Sequence, residues 1–212
     1  MKNIIIAILL VVIGLLVYHI HTTETDAIEP QETEQNTEPS TATSTHLKFK
    51  GIPIDGSIDD FASKLEKNGF ESEKTYNGDI FYKGDFAGYN CRVLLESTPS
   101  GIVCTVKALM ENHDEWQPIE NDYMTLKAAL TKKYGKPTKC IEKFYGYSQP
   151  ERNSAKYIGL ISGECNYVTT FETTNGTIIL SIIEESIGGC PALVYQDKEN
   201  SQIAAGDMLD EL

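Results

Sequence analysis

Residues 57–86 read SIDDFASKLEKNGFESEKTYNGDIFYKGDF, and in this stretch a helix pattern gives way to a hairpin pattern. Ser57 heads an S-x-x-D sequence, which caps the first turn of a helix, and Gly69 supplies the stop. The apolar stripe between them consists of Ile58, Phe61, Ala62 and Leu65. Beyond it, alternating segments flank Asn77-Gly78, a strong hairpin signal. The stretch predicts one amphipathic helix followed by antiparallel strands.

The same order of elements occurs twice along the chain. After the first helix we predict strands at Phe70 to Tyr76, Ile80 to Phe86, Asn90 to Ser97 and Ile102 to Met110. After a second helix at about residues 121–134 we predict strands at Cys140 to Tyr147, Lys156 to Ser162, Asn166 to Thr173 and Thr177 to Glu184, and a final run at Ala192 to Tyr195. This order predicts an α+β domain over residues 46–196, duplicated internally as halves at about 46–113 and 114–196, with its helices on one face of an antiparallel sheet. Residues 197–212 form an acidic tail.

Two short phrases flank the predicted helices: GIPIDG at residues 51–56 and KYGKP at residues 133–137. The tandem helix-plus-four-strand order resembles the β-lactamase-inhibitor-like architecture and its relatives among small outer-membrane assembly lipoproteins. The two phrases resemble segments of uncharacterised exported bacterial proteins. The resemblance covers roughly residues 46–196 and implies a protein-binding sheet. It assigns no inhibitor or assembly residue, because no functional motif of either family is matched.

The amino terminus predicts an extracytoplasmic address. An unbroken apolar run from Ile4 to Ile20 gives a helix of roughly 25 Å, at the lower end of membrane-spanning lengths. The run is consistent with an uncleaved anchor over residues 1–20 or with a cleaved signal segment, which would leave a secreted protein. Lys2 is the only lysine or arginine near it, so the positive-inside rule places the rest of the chain in the periplasm of a bacterial envelope. Residues 21–45 carry six acidic residues and predict a disordered tether.

Charge narrows the classes of partner. The formal net charge is −13 and no stripe of lysine or arginine occurs, so the electrostatic term that dominates nucleic-acid binding is missing. An acidic domain is also repelled by anionic lipid headgroups. We therefore expect no nucleic-acid partner, and we expect contact with the inner membrane only through residues 4–20.

Five cysteines stand at positions 91, 104, 140, 165 and 190. In an oxidising compartment pairing is favoured, although an odd count leaves at least one thiol free. A predicted hairpin turning at Arg152-Asn153 would place Cys140 directly opposite Cys165, so we predict a disulfide between these two. The alternative is that all five are small buried apolar residues. No cysteine or histidine spacing predicts a metal site, and no cofactor fingerprint occurs.

The densest polar and aromatic cluster is His113-Asp114-Glu115-Trp116, in the link between the halves. A histidine beside carboxylates can exchange protons or bind a cation, which keeps an extracytoplasmic hydrolase as an alternative hypothesis. Trp116 could anchor a partner, or it could pack between the halves.

Aromatic residues are frequent in the first two strands of each half, and they include Tyr82, Phe86 and Tyr145. Such strands could display an aromatic face to a partner, although β-propensity and core packing favour the same residues. The sequence as a whole predicts a noncatalytic module that binds another envelope or secreted protein, with candidate contacts at Trp116, His113, Tyr82, Phe86 and Tyr145. The alternatives are the hydrolase and a structural envelope spacer. No catalytic residue and no oligomeric state is assigned.

Overall fold

The computed structural model describes residues 45–74, 80–146, 149–185 and 188–210. The predicted anchor or signal segment, the tether up to residue 44 and the turn at Asn77-Gly78 lie outside these ranges. Within them, no helix is both long and apolar enough to cross a bilayer.

The first helix forms as the sequence predicts. A small hairpin of β1 (Lys48–Phe49) and β2 (Ile52–Pro53) precedes α1 (Ile58–Lys67). The side chain of Ser57 accepts a hydrogen bond from the N–H of Asp60, which confirms the predicted cap. Gly69 takes a positive φ of 86°, the left-handed conformation that ends many helices.

One antiparallel sheet of eight strands organises the described part of the chain. The strands are β3 (Glu71–Lys74), β4 (Ile80–Phe86), β5 (Tyr89–Ser97), β6 (Val103–Met110), β7 (Lys139–Phe144), β8 (Cys165–Thr173), β9 (Gly176–Glu185) and β10 (Gly188–Asp197). Their order across the sheet is β3-β4-β5-β6-β10-β9-β8-β7, and every neighbouring pair is antiparallel. The α+β class with an antiparallel sheet is thereby confirmed.

Three more helices complete the described fold: α2 (Trp116–Tyr134), α3 (Asn153–Ile161) and α4 (Lys198–Asp210). The second predicted helix therefore begins five residues earlier than expected, at Trp116 rather than at Asn121. The early start places Pro118 in the first turn, where the missing N–H of proline removes no intrahelical bond.

One face of the sheet, which we call the inner face, carries the core. A single row of the sheet register joins buried residues of β4, β5, β6, β10 and β9: Tyr82, Val93, Ala108, Leu193 and Leu180. The hydroxyl of Tyr123 in α2 lies 2.6 Å from Thr169 Oγ1 in β8, and Phe61 of α1 belongs to the same buried cluster. Helices α1 and α2 therefore pack on the inner face.

The predicted strand at Lys156 to Ser162 is wrong, because these residues belong to α3. The segment from Lys156 to Ser162 has four large apolar side chains, and their spacing fits a short strand and a short helix equally well. Packing settles the choice: Leu160 is buried, and Gly159 leaves the space in which the ring of Phe144 lies. The left-handed Gly163, with φ of 72°, follows the end of this helix.

The final run predicted at Ala192 to Tyr195 begins four residues earlier in the structure, because Gly188-Gly189-Cys190-Pro191 also belongs to β10. Gly189 exchanges two backbone hydrogen bonds of 2.9 Å with His113. A side chain on Gly188 would lie against the His113 carbonyl oxygen. These glycines therefore permit a close approach of two backbones within the sheet, which a turn prediction misreads.

Candidate binding surface on the sheet

The opposite face of the sheet, which we call the outer face, presents a continuous row of side chains. The register aligns one residue from each strand in the order Ile141, Val168, Ser181, Ala192, Leu109, Arg92, Lys83 and Glu71. A neighbouring row runs through Thr170, Ile179, Val194, Lys107 and Leu94. The first row is apolar at β7 and charged toward β3, whereas the second row begins at Lys139 of β7 and ends at Leu94 of β5.

Six apolar side chains on these rows form what we call the outer-face patch: Ile141, Val168, Ile179, Val194, Leu109 and Leu94. All six are half-exposed. Their neighbours at the charged end are already paired within the chain, since Arg92 lies 3.1 Å from Glu185 and Lys107 pairs with Glu96. The patch is therefore apolar surface beside neutralised charge, a combination that favours burial against a partner.

The sequence of β9 carries a signal for this patch that the predicted binding residues do not include. β9 reads GTIILSIIEE, with apolar residues at both parities of the strand. A strand with one solvated face alternates apolar and polar residues, whereas a strand covered on both faces does not. The continuous apolar run therefore indicates a sheet whose second face also favours apolar contacts.

The expectation that Tyr82 and Phe86 display an aromatic binding face is corrected by their position. Both lie on the inner face of β4: Tyr82 is buried, and the ring of Phe86 stacks on Phe49 at 4.6 Å between centroids. On the outer face of the same strand lies Phe81, whose ring is 5.2 Å from the guanidinium of Arg92. The register of β4 decides this, because a shift of one residue exchanges the two faces.

Tyr145 is the exposed member of the predicted aromatic set. It follows β7 directly, is 55% exposed, and its hydroxyl accepts a 2.6 Å hydrogen bond from the side chain of Asn166. Its position next to the apolar end of the outer face keeps it available to a partner.

Trp116 is a core residue at the start of α2. It is 1% exposed and its ring packs 5.2 Å from the rings of both Phe144 and Tyr167. The ammonium of Lys156 lies 5.6 Å from the centre of the indole ring. No described residue accepts a hydrogen bond from the indole N–H of Trp116. The hypothesis that Trp116 contacts a partner directly is therefore corrected, because almost the whole side chain is buried in the core.

His113 and its sequence neighbours separate in space. The imidazole Nε2 lies 2.9 Å from Asp122 Oδ2 in α2, and burial together with Asp122 raises the pKa of the nearby Tyr89. Asp114, Glu115 and the edge of Trp116 instead line a groove of about 370 Å³ with Ile158 of α3, to which His113 does not contribute. The predicted four-residue cluster is therefore not a single site.

The sheet register also corrects the predicted disulfide. Cys140 lies opposite Thr169, while Cys165 lies opposite Phe144, so the two cysteines are four residues out of register. All five thiols are free. Burial raises the pKa of Cys165 and of Cys190 to about 12, which disfavours the reactive thiolate at both positions. The error follows from α3, which replaces the tight hairpin assumed at Arg152-Asn153.

Among the described residues, no group of three or more histidine, cysteine, aspartate or glutamate side chains is arranged to hold a metal ion. In comparisons with known proteins, no family model matches the chain, and no curated protein or solved structure is significantly similar to it.

Proposed function

We propose that this protein is a membrane-tethered extracytoplasmic module that binds another envelope or secreted protein, without catalysis, through the outer-face patch. The observation that carries the proposal is the outer-face patch, six half-exposed apolar side chains that lie in two neighbouring rows across β7, β8, β9, β10, β6 and β5. Complete burial of such a side chain contributes about 1.5–3 kcal/mol, and each member of the patch is already partly buried, so each retains at most roughly 1 kcal/mol for a partner.

The amino-terminal sequence supports the proposed extracytoplasmic location. The apolar run at residues 4–20 and the single nearby Lys2 favour export with the domain outside the inner membrane. A cleaved signal would release the same domain into the periplasm or medium. Either outcome presents the outer-face patch to extracytoplasmic proteins.

Internal duplication belongs to the same proposal. Each half contributes a helix, α1 or α2, followed by four strands, and the last strands of the two halves, β6 and β10, pair at the centre of the sheet. This order is what a repeated unit related by a two-fold axis produces. Helix α3 would be an insertion in the second copy. Duplication then accounts for the width of the sheet and of its outer face.

A hydrolase remains the second candidate, because one observation favours it. Oδ2 of Asp122 lies 2.9 Å from Nε2 of His113. A carboxylate in this position can orient an imidazole for proton transfer. The backbone of His113 also forms a β-bridge with Gly189, so a purely structural role of this residue is the competing explanation. Hydrolysis of an ester substrate by the wild type, abolished by His113→Ala, would establish the enzyme instead.

Site-specific crosslinking in intact cells tests the binding proposal. A photo-crosslinking residue at Val168 is expected to yield a discrete, saturable adduct with another envelope or secreted protein. The matched control is the same residue at Ile158, which is apolar and 64% exposed on α3 but lies off the patch. Val194→Lys should remove the adduct at position 168, because it places a charge in the neighbouring row.

The outcomes separate the hypotheses. An adduct at position 168 that is saturable and lost in Val194→Lys supports binding through the outer-face patch. Adducts of equal yield at positions 168 and 158 contradict it. The absence of any saturable adduct at either position favours the structural spacer.

A further inference from the structure

Along the edge strand β7, the backbone N–H and C=O groups of successive residues point alternately toward β8 and away from the sheet. The N–H of Tyr145 donates to the carbonyl oxygen of Glu164 in the connection to β8 at 2.8 Å, so odd-numbered residues of this segment bond inward. Phe144 bonds outward: its N–H donates to the side chain of Gln149 at 2.7 Å, and its carbonyl accepts from the same amide at 2.8 Å. Even-numbered residues of β7 therefore direct their peptide groups away from the sheet.

Gln149 shows what the outer edge of β7 can accept. Its amide binds Phe144 with one donor and one acceptor, the pattern that a peptide of a neighbouring strand would use. The next two outward positions are Cys140 and Glu142, whose peptide groups have no partner among the described residues. The free edge of β7 can therefore form hydrogen bonds with one more strand, centred near Cys140 and Glu142.

When two copies of β7 pair with each other, the charges of the strand favour one register. A symmetric antiparallel pair can place Cys140, Ile141 or Glu142 on the two-fold axis. With Ile141 on the axis, Lys139 of each copy faces Lys143 of the other. With Glu142 there, two glutamates oppose each other, each paired with Lys127 of its own α2, and Cys140 faces Phe144, whose outward groups Gln149 already binds. Like charges directly opposite are destabilising, so both registers are disfavoured.

The third register avoids every like-charge pair. With Cys140 on the axis, Lys139 faces Ile141 of the second copy and Glu142 faces Thr138. The N–H of Thr138 already donates to the carbonyl oxygen of Thr170 at 2.9 Å, so at this position only the carbonyl of Thr138 is left for the second copy. Outward-bonded residues that oppose each other in an antiparallel pair have Cα atoms about 5.5 Å apart, a separation that a disulfide spans. Cys140 is also the one thiol of the five that is exposed.

We propose that two copies of this chain associate by antiparallel pairing of their β7 edges, with Cys140 of each copy facing the other across the two-fold axis. The pairing joins the eight-stranded sheets of the two copies edge to edge, so that their outer faces become one surface that begins at Ile141 on each side. This inference does not depend on the outer-face patch binding another protein.

Sedimentation of the full-length chain over a range of concentrations tests the pairing. The wild type is expected to show a reversible monomer–dimer equilibrium. Glu142→Pro removes an outward N–H while keeping every inward backbone bond, it also removes the ion pair between Glu142 and Lys127 of α2, and it should weaken dimerisation roughly tenfold. A wild type that stays monomeric throughout, or a dimer that Glu142→Pro leaves unchanged, overturns the proposal.

A matched pair of variants at Ile141 tests the register and remains decisive if Glu142→Pro fails to fold. Both Ile141→Glu and Ile141→Lys remove the same apolar side chain. In the proposed register, glutamate gains Lys139 of the second copy as a partner, while lysine meets it as a like charge, so Ile141→Glu should dimerise more tightly. Equal dimerisation by the two variants, or a tighter lysine variant, contradicts the register.

Covalent trapping gives an independent readout. Oxidised glutathione should convert the two Cys140 thiols to a disulfide, with two protons and two electrons passing to form two molecules of reduced glutathione. A disulfide-linked dimer is expected for the wild type and for Cys165→Ser. It should be lost in Cys140→Ser, which still associates noncovalently. Trapping that persists without Cys140 would exclude this geometry.

Discussion

His46 Nδ1 lies 3.2 Å from Oδ1 of Asp197, a carboxylate with no exposed surface at the end of β10. The same carboxylate accepts the N–H of Leu47 at 2.8 Å and the N–H of Asn200 at 3.0 Å. One buried charge therefore joins the first described residues of the domain to the start of α4.

This contact predicts a pH-dependent stability. Burial lowers the pKa of His46, but the hydrogen bond and charge of Asp197, with the nearby carboxylates of Asp55 and Glu199, outweigh it and raise the pKa above its usual value. Because the folded state holds the proton more tightly, the stabilisation is complete below about pH 6.5 and is lost as the pH rises through the folded-state pKa.

Urea unfolding of the wild type and of His46→Gln measures this effect. The difference in unfolding free energy between the two proteins should be largest near pH 5.5–6 and should shrink toward about pH 9. A difference that grows as the pH rises would contradict the assignment.

The two faces of β9 predict different costs for adjacent substitutions. Leu180 is buried on the inner face, whereas Ile179 is half-exposed in the outer-face patch. Leu180→Ala should cost about 3–4 kcal/mol of unfolding free energy, because it leaves a cavity in the core, and Ile179→Ala only about 1 kcal/mol. Chemical denaturation of both variants checks this. Equal losses would mean that the outer face is buried like a second core.

Two glycines with positive φ predict a second contrast. Gly176, with φ of 153°, begins β9, and a side chain there would collide with the backbone carbonyl of Gln196. Gly135, with φ of 86°, ends α2 in open space. Gly135→Ala should therefore cost about 1 kcal/mol, and Gly176→Ala about 3 kcal/mol or more, because it must move the strand. The thermal midpoints of the two variants give the comparison; similar midpoints would contradict it.

The exposure of the thiols predicts the order in which they react. Cys140 is exposed, while burial raises the pKa of Cys91 to about 11 and leaves Cys190 with no accessible surface. Alkylation of the native, reduced protein should therefore modify Cys140 first and Cys190 last. Peptide mapping without reductant should find no bridge from Cys140 to Cys165, and such a bridge would require a different register between β7 and β8.

The sequence predicted the elements whose signals are local. The cap at Ser57 and the stop at Gly69 depend on residues within a few positions of each other, and both formed as expected. Antiparallel strands followed each predicted helix for the same reason. The failure at α3 is also local, because nine residues with apolar side chains on several sides do not distinguish a helix from a strand.

The candidate contacts depended on information that the sequence does not carry. Tyr82 and Phe86 were correctly placed in a strand, but the face they occupy is set by pairing with β5. The disulfide failed on the same point, since an error in one connection moved Cys165 four residues away from Cys140.

The amino-acid sequence by itself determined the order of helices and strands, the acidic charge that disfavours nucleic acids, and the apolar segment at the amino terminus. These follow from composition and from interactions between near neighbours along the chain. The tertiary structure alone decided which side chains reach the outer face, that Trp116 is buried, and that Cys140 lies at a free edge. Each of those outcomes depends on strand register and sheet order, which are set by contacts between residues far apart in the chain.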